Sequence, residues 1–415
     1  MRVAGYLYDP ASKKEGFGEI IIEDGKISKV NWGEEHLKPE ELDKTNCIAP
    51  GLIDVHTHFR DPGFTHKEDI ITGAEAAKAG GYTTVVMMCN TNPTIDNVDT
   101  LKYVLDKGSK TGIHVESCSS VTKGLKGEKI SPIEDMLSAG AIGITDDGIP
   151  LMDPDMLRKG MEISARLNIP ISLHEENKDL IKNNGVNHGK ASEHFGIYGS
   201  PREAEISLIG RDIDIALETG AILNVQHIST KEGVELVRQG KIKSDKIHAE
   251  ATPQHISLTE EAVISKGTLA KLNPPFRCEE DRQAIIKGLQ DNTIDIIATD
   301  HAPHTLEEKN QDITKAPSGM IGLETAFALC VTNLVKPGHL SMLDVLAKLT
   351  INPANLYNLQ DRGRLEAGAL ADLVFFNPDE KWVVKEFKSK SPNSPFVGET
   401  LTGKVTGICC EGNII

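Results

Sequence analysis

The sequence has no apolar run approaching the roughly 18 residues that a transmembrane helix needs, so a membrane-spanning protein is not expected. It also lacks any basic run to offset its charge, which is −16 from 45 Lys plus Arg against 61 Asp plus Glu. A chain so charged repels nucleic-acid phosphates and anionic lipid heads, which argues against nucleic acid and membrane as partners. An anionic small substrate would need a local positive centre, an arginine or a metal. The seven cysteines (Cys47, Cys89, Cys118, Cys278, Cys330, Cys409, Cys410) are odd in number, scattered and without a CxxC spacing. They read as reduced, mostly buried thiols of a cytoplasmic protein and not as a disulfide scaffold. The opening segment MRVAGYLYDPASKKEG has neither an apolar core nor a small-residue cleavage pattern, so no secretory signal is expected. No GxGxxG follows the first apolar run, which removes the usual dinucleotide reading, and no GxSxG elbow is present.

What the chain does contain is a cycle. At about 150 residues per domain, 415 residues allow two or three domains, or one large barrel with an appendage. Between residues 48 and 305 a short β-branched run is followed by a polar or glycine turn and then a helical stretch. The runs are GLIDVHTHF (51–59), TTVVMMCN (83–90), IHVESCSS (113–120), AIGITDD (141–147), IPISLHE (169–175), ILNVQHI (222–228), KIHAEAT (246–252) and IDIIATDH (294–301). Helical stretches such as HKEDIITGAEAAKAGG, PDMLRKGMEISARLN and PREAEISLIGRDIDIALETG lie between them. Near-continuous apolar strands alternating with amphipathic helices indicate a parallel sheet covered by helices. Eight units suit a (β/α)8 TIM barrel over residues 50–359. The ends differ. GEIIIEDGKISKV pairs two alternating runs through Asp24-Gly25, a hairpin signal, and ALADLVFFN, KWVVKEF and KVTGICCEGN near the other end read as further short strands. Residues 1–49 and 360–415 are therefore expected to meet in one small β-sandwich domain.

In a parallel barrel the active site forms at the C-terminal ends of the strands. The first run closes on His56-Thr57-His58 and continues into Phe59-Arg60-Asp61. The second ends at Asn90, the fourth at Asp146-Asp147, the fifth at His174, the sixth at His227 and the eighth at Asp300-His301. Singly, each has an ordinary explanation: a histidine at a strand end is commonly just hydrogen-bonded, and Asp300 could cap the next helix. Six such coincidences at one end of one barrel do not. Alternation puts His56 and His58 on one side of their strand. Imidazole and carboxylate suit Zn2+, with Fe2+, Mn2+ and Co2+ left open, and five or six ligands exceed what one tetrahedral ion needs. A binuclear centre is plausible chemistry for such a set, and it implies hydrolysis. Bound ions acidify a water and polarise a carbonyl, while a carboxylate, here Asp300, carries the proton to the leaving nitrogen. Cys89 is the one cysteine at a strand end beside a histidine, and nucleophilic catalysis is set aside. His255 and His301 read as structural, His66, His188 and His194 as exposed. Lys67 and Glu68 read as a helix opening, serving solvation and the dipole.

These residues carry a resemblance. GLIDVHTHFRDPG with ATDHAPH and the paired β-rich termini resembles the cyclic-amidohydrolase group of the amidohydrolase superfamily. Within it, MMCNTNPT (87–94), ITDDG (144–148), LNPPFR (272–277), ATDHAPHTLEEK (298–309) and PSGMIGLET (317–325) resemble the bacterial class I dihydroorotases, over essentially the whole chain. The resemblance implies metal ligation by His56, His58, Asp147, His174, His227 and Asp300, with Asp300 also catalytic and one or two Zn2+ per subunit. It implies that Arg60, Asn90 and His304 hold the substrate's free carboxylate, and that Asn273 and the Ser318-Gly319 backbone complete the pocket. The implied reaction is reversible cyclisation of N-carbamoyl-L-aspartate to L-dihydroorotate and water in pyrimidine biosynthesis. The implied assembly is a homodimer, with an association with aspartate transcarbamoylase left open. Hydantoinase-like relatives bridge two metals with a carboxylated lysine, but the fourth run here has none and Asp147 must substitute. Preferring Asp147 to Asp146 rests on motif position. The rival readings are a dihydropyrimidinase, hydantoinase or allantoinase, opposed by the missing lysine and by Arg60, and an inactive scaffold for aspartate transcarbamoylase, opposed by the complete ligand set.

Overall fold

The computed structural model describes residues 1–415, apart from the side chain of His36, and places a parallel strand on each of the eight apolar runs, the second starting one residue early at Tyr82. They are β1 (Leu52–Thr57), β2 (Tyr82–Met87), β3 (His114–Ser117), β4 (Ile144–Thr145), β5 (Pro170–Leu173), β6 (Ile222–Val225), β7 (Ile247–Ala251) and β8 (Ile296–Ile297). Every residue of β1, β2 and β5 is buried, as a parallel strand covered on both faces requires. β1, β2 and β3 form one sheet; β4 to β8, with the short Ser119–Ser120 strand beyond β4, form a second in sequential order. Hydrogen bonds run between the two sheets on both sides. On one side Ile142 N, just before β4, donates to Ser117 O of β3 (3.1 Å). On the other side Thr57 and His301 form a parallel bridge, and His58 N donates to His301 O at 2.9 Å. This arrangement fits the barrel expected from the sequence.

Local chemistry sets the helices between the strands. The helix Pro154–Leu167 starts where Asp153 accepts from Asp155 N at 2.9 Å with proline at the first position, where its missing N–H costs nothing. It stops at Asn168 in the left-handed conformation (φ 52°). Its buried residues Met156, Leu157, Gly160, Met161 and Ser164 recur at helical spacing and form one face. The helices Ile70–Ala79 and Arg202–Thr219 fall inside the other two stretches read as helical.

The two chain ends join in one seven-stranded sheet. Its order is Asn413–Ile414, Thr400–Cys410, Leu373–Val383, Cys47–Pro50, Arg2–Asp9, Lys14–Glu23 and Lys26–Trp32. The hairpin falls at Asp24-Gly25: Glu23 pairs with Lys26, and both turn residues have positive φ (49° and 75°), as a type I′ turn demands. Parts of ALADLVFFN and KWVVKEF, read as separate strands, belong to one strand, Leu373–Val383, whose register slips between Asn377 and Lys381. Pro378 sits in that slip, where it cannot donate to a ladder. A core of Leu7, Ile20, Ile22, Ile27 and Ile48 from the first end and Leu365, Leu373 and Cys409 from the second packs together at this sheet. All seven cysteines are free and six are buried, while Cys278 is half-buried. Among the described residues, no helix is long and apolar enough to cross a membrane.

Candidate functional site

Asp54 and His56 lie two apart on β1, and His58 follows in the same alternation. β4 delivers Asp147, β5 His174, β6 His227 and β8 Asp300, each just past the last paired residue. Three residues at these ends, Arg60 (φ 61°), His227 (φ 30°) and Asp300 (φ 47°), hold the left-handed conformation without being glycine. Such backbone is costly and persists only where its surroundings fix it, commonly at functional sites.

The side chains converge. His56 Nε2 lies 3.3 Å from Asp147 Oδ1 and 3.5 Å from Asp300 Oδ1. His58 Nε2 lies 2.9 Å from Asp300 Oδ1 and 3.5 Å from Asp147 Oδ2. His174 Nδ1 is 2.9 Å from His227 Nε2 and 3.9 Å from Asp147 Oδ1. His56 Nε2 and Asp147 Oδ1 are buried and make no hydrogen bond, a costly condition that a cation between them relieves. Two triads have donor atoms within 4.8 Å of one another: His56, Asp147 and His227, and His56, His58 and Asp300. This donor set fits a divalent metal. Burial pushes the Asp147 carboxyl up, but His56, His58 and His174 outweigh it and hold it below the usual carboxylate range. Asp300 is likewise lowered, against burial, by His56 and His58. Burial and then His174 push His227 well down, favouring the neutral imidazole that can ligate.

A cleft of about 200 Å³ is lined by His58, Asp147, His174, His227 and Asp300 together with Arg60, Asn90, Asn273, His304, Ser318 and Gly319. Eleven of the twelve residues singled out in the sequence meet there, and His56 is fully buried against Asp147. Asn90 Oδ1 faces His58 Nδ1 at 3.0 Å and its amide donates to Asp147 Oδ2 at 3.2 Å. His304 Nε2 donates to Ser318 O (3.0 Å), Lys67 Nζ lies 3.4 Å from Nδ1, and Arg60 Nη2 lies 3.4 Å from Nε2. Burial, then Arg60 and Lys67, bring His304 down to about 2, so this ring is neutral.

The structure separates Asp146 from Asp147. Asp146 turns away to accept from Val121 N, Thr122 N and the Thr122 hydroxyl. His255 is buried between Thr252 Oγ1 and Pro274 O, and His301 accepts from Gly322 N, both structural roles. His66, His188 and His194 are exposed. Burial pushes the Cys89 thiol far up, and it donates to Thr145 O. Glu68 is a correction: it is fully buried, accepts from Thr72, Ser389 and Lys390 N, and lies 3.5 Å from His301 Nε2. It braces the wall behind the site and does not serve solvation. Lys67, half-buried, reaches His304 and Glu308 (2.8 Å).

Two supporting acids were not read from the sequence. Glu250 on β7, fully buried, faces His56 Nδ1 at 3.1 Å and accepts from Asn224. Glu176 faces His174 Nε2 at 3.1 Å and accepts from Ser200. Each fixes which nitrogen of its histidine points into the site. A glutamate inside a strand as apolar as KIHAEAT was the available signal, because unpaired acids are almost never fully buried.

The profile of the amidohydrolase family matches residues 47–415. This chain belongs to that family. It is 48% identical over 417 residues to the dihydroorotase of Clostridium acetobutylicum, covering 99% of this chain and 98% of that one. It is 48% identical to the dihydroorotase of Clostridioides difficile and 47% identical to that of Streptococcus thermophilus, again over 99% of this chain and 98% of each relative. Among solved structures, the L-hydantoinase (dihydropyrimidinase) from Arthrobacter aurescens superposes with a TM-score of 0.86 at 25% identity, covering 99% of this chain and 94% of the other. A D-hydantoinase superposes at 0.85 with 20% identity, over 100% and 95%, a likeness of fold alone.

Proposed function

We propose that this chain is a class I dihydroorotase, cyclising N-carbamoyl-L-aspartate to L-dihydroorotate and water, reversibly, in pyrimidine biosynthesis. One observation carries the reading: Arg60, Asn90 and His304 line the same cleft as the imidazole–carboxylate cluster. A hydrolase of cyclic amides needs the cluster, while only a substrate bearing a ring carboxylate needs the guanidinium. The absence of a lysine at the end of β4 weighs against the hydantoinase reading.

His56, His58, Asp147, His174, His227 and Asp300 would hold one or two divalent ions. Zn2+ suits so many imidazoles beside carboxylates. When bound, the metal supplies an acidified water and polarises the ring amide carbonyl. The protein supplies the rest. In the hydrolytic direction Asp300 takes the proton released at the carbonyl and delivers it to the departing ring nitrogen; in the biosynthetic direction it enters protonated. Arg60 grips the ring carboxylate with its two-pronged guanidinium. Asn90 and His304 orient the same carboxylate, with Asn273 and the Ser318-Gly319 backbone closing the pocket.

We assign residues 50–359 to a closed (β/α)8 barrel, supported by the hydrogen bonds on both sides of the two parallel sheets. We assign residues 1–49 and 360–415 to one small β domain, supported by the seven-stranded sheet and the core that both ends share. A cytoplasmic site of action is supported by the seven free thiols. The test is hydrolysis of dihydroorotate and of dihydrouracil by purified protein, with metal analysis before and after chelation. Turnover of dihydroorotate that chelation abolishes is expected. Comparable rates on both substrates would overturn the assignment.

A further inference from the structure

A second group of ligand-type side chains lies away from the cleft. His114 opens β3, at the strand end opposite the catalytic one. Asp372 immediately precedes the strand Leu373–Val383, and Cys410 ends the strand Thr400–Cys410. One donor atom from each lies within 4.8 Å of the others. Asp372 is 3% exposed and Cys410 5%.

His114 Nε2 and Asp372 Oδ2 are 3.0 Å apart, yet each is buried without a hydrogen bond. His56 Nε2 and Asp147 Oδ1 show the same signature at the catalytic centre. At 3.0 Å the two atoms can pair as ions if the imidazole is protonated, and a cation bound by both satisfies them with the imidazole neutral. Asp372 is also held in place: its Oδ1 accepts from Glu411 N at 2.9 Å and its carbonyl from Gly51 N at 2.8 Å. Beside the group opens a cavity of about 410 Å³, lined in part by His114, Glu116, Cys410 and Glu411, which leaves room for a fourth ligand such as water.

We propose that His114, Asp372 and Cys410 form a second metal site, taking a thiophilic divalent ion of the zinc class. Thiolate, imidazole and carboxylate together select Zn2+ or Co2+ over Mg2+ or Ca2+, and three protein ligands leave one position for water. Binding displaces the Cys410 thiol proton to solvent, and the thiolate then bonds the metal. The ion ties the closing strand of the chain-end sheet to the base of β3, a structural clip far from the substrate.

Cobalt substitution tests this without reading activity. The catalytic residues include no cysteine, so a thiolate-to-Co2+ charge-transfer band in the near ultraviolet reports only a cysteine site. Protein loaded with Co2+ should show the band, and Cys410→Ser should abolish it and bind one metal fewer per chain. Dihydroorotate turnover should be unchanged in that variant. His114→Asn should likewise lose the band, which covers a folding defect in the serine variant. No band in the wild type would overturn the proposal, as would a band that survives in Cys410→Ser or in His114→Asn.

Discussion

In the cleft, Arg60, His227 and Asp300 carry positive φ, and buried polar atoms of His56 and Asp147 lack hydrogen bonds. In the chain-end sheet, positive φ at non-glycine residues falls on Lys13, Asp24 and Glu411, between consecutive strands, and the interior is mostly aliphatic. The first region holds backbone strain and unmet polar demand together, whereas the aliphatic core of the second satisfies its own packing and leaves unmet polar atoms only at its border with β3, at Asp372 and His114. The contrast teaches where each region's free energy goes: the sheet contributes stability, and the cleft gives some of it up to hold charges in a fixed array.

Substitutions at the two regions should therefore separate activity from stability. The largest effect is expected at Asp300→Asn, which keeps size but cannot accept a proton. Turnover should fall by about 10²–10⁴-fold with the fold intact by circular dichroism, and metal content measured in parallel. More than about a tenth of the wild-type rate retained would remove the proton-carrying role. Next comes Arg60→Met. Losing a forked, charge-assisted pair at roughly 1.5–3 kcal/mol per bond should cost at least about 10²-fold in kcat/KM for dihydroorotate. Metal content should not change, since Arg60 is no ligand, and Lys should rescue only in part.

Glu250→Gln should act more gently, weakening metal affinity by about 10–100-fold through the orientation of His56. Equilibrium dialysis would read it, and unchanged affinity would show that His56 needs no such partner. On the other side of the comparison, Ile20→Ala in the chain-end core should cost about 2–5 kcal/mol in urea unfolding. Its kcat should match the wild type under folding conditions. A loss of kcat with unaltered stability would mean the two regions are coupled.

The strands were legible because parallel strands buried on both faces write themselves as short continuous β-branched runs, of which the TTVVM segment of β2 is the plainest. His56, His58, His174, His227 and Asp300 were legible because strand ends in such a fold point to one place. Glu250 and Glu176 were missed because their role depends on a histidine from another strand or on a rotamer, and neither leaves a periodicity. Glu68 was misread for a related reason. It precedes a helix whose cap is Asp69, but Ser389 and Lys390, more than 300 residues away, bury it.

Local sequence thus determined which segments are strands and helices, where the hairpin turns, and which side chains stand at the strand ends. Those properties depend on backbone preference and alternation, which act over a few residues. Only the tertiary structure decided which way Asp146 and Asp147 turn, that the two chain ends, expected to meet, do so in one continuous sheet, and that His114, Asp372 and Cys410 come together. Each of these is a contact between distant segments, set by how strands twist and helices pack, and no local pattern encodes the distance between two side chains brought together that way.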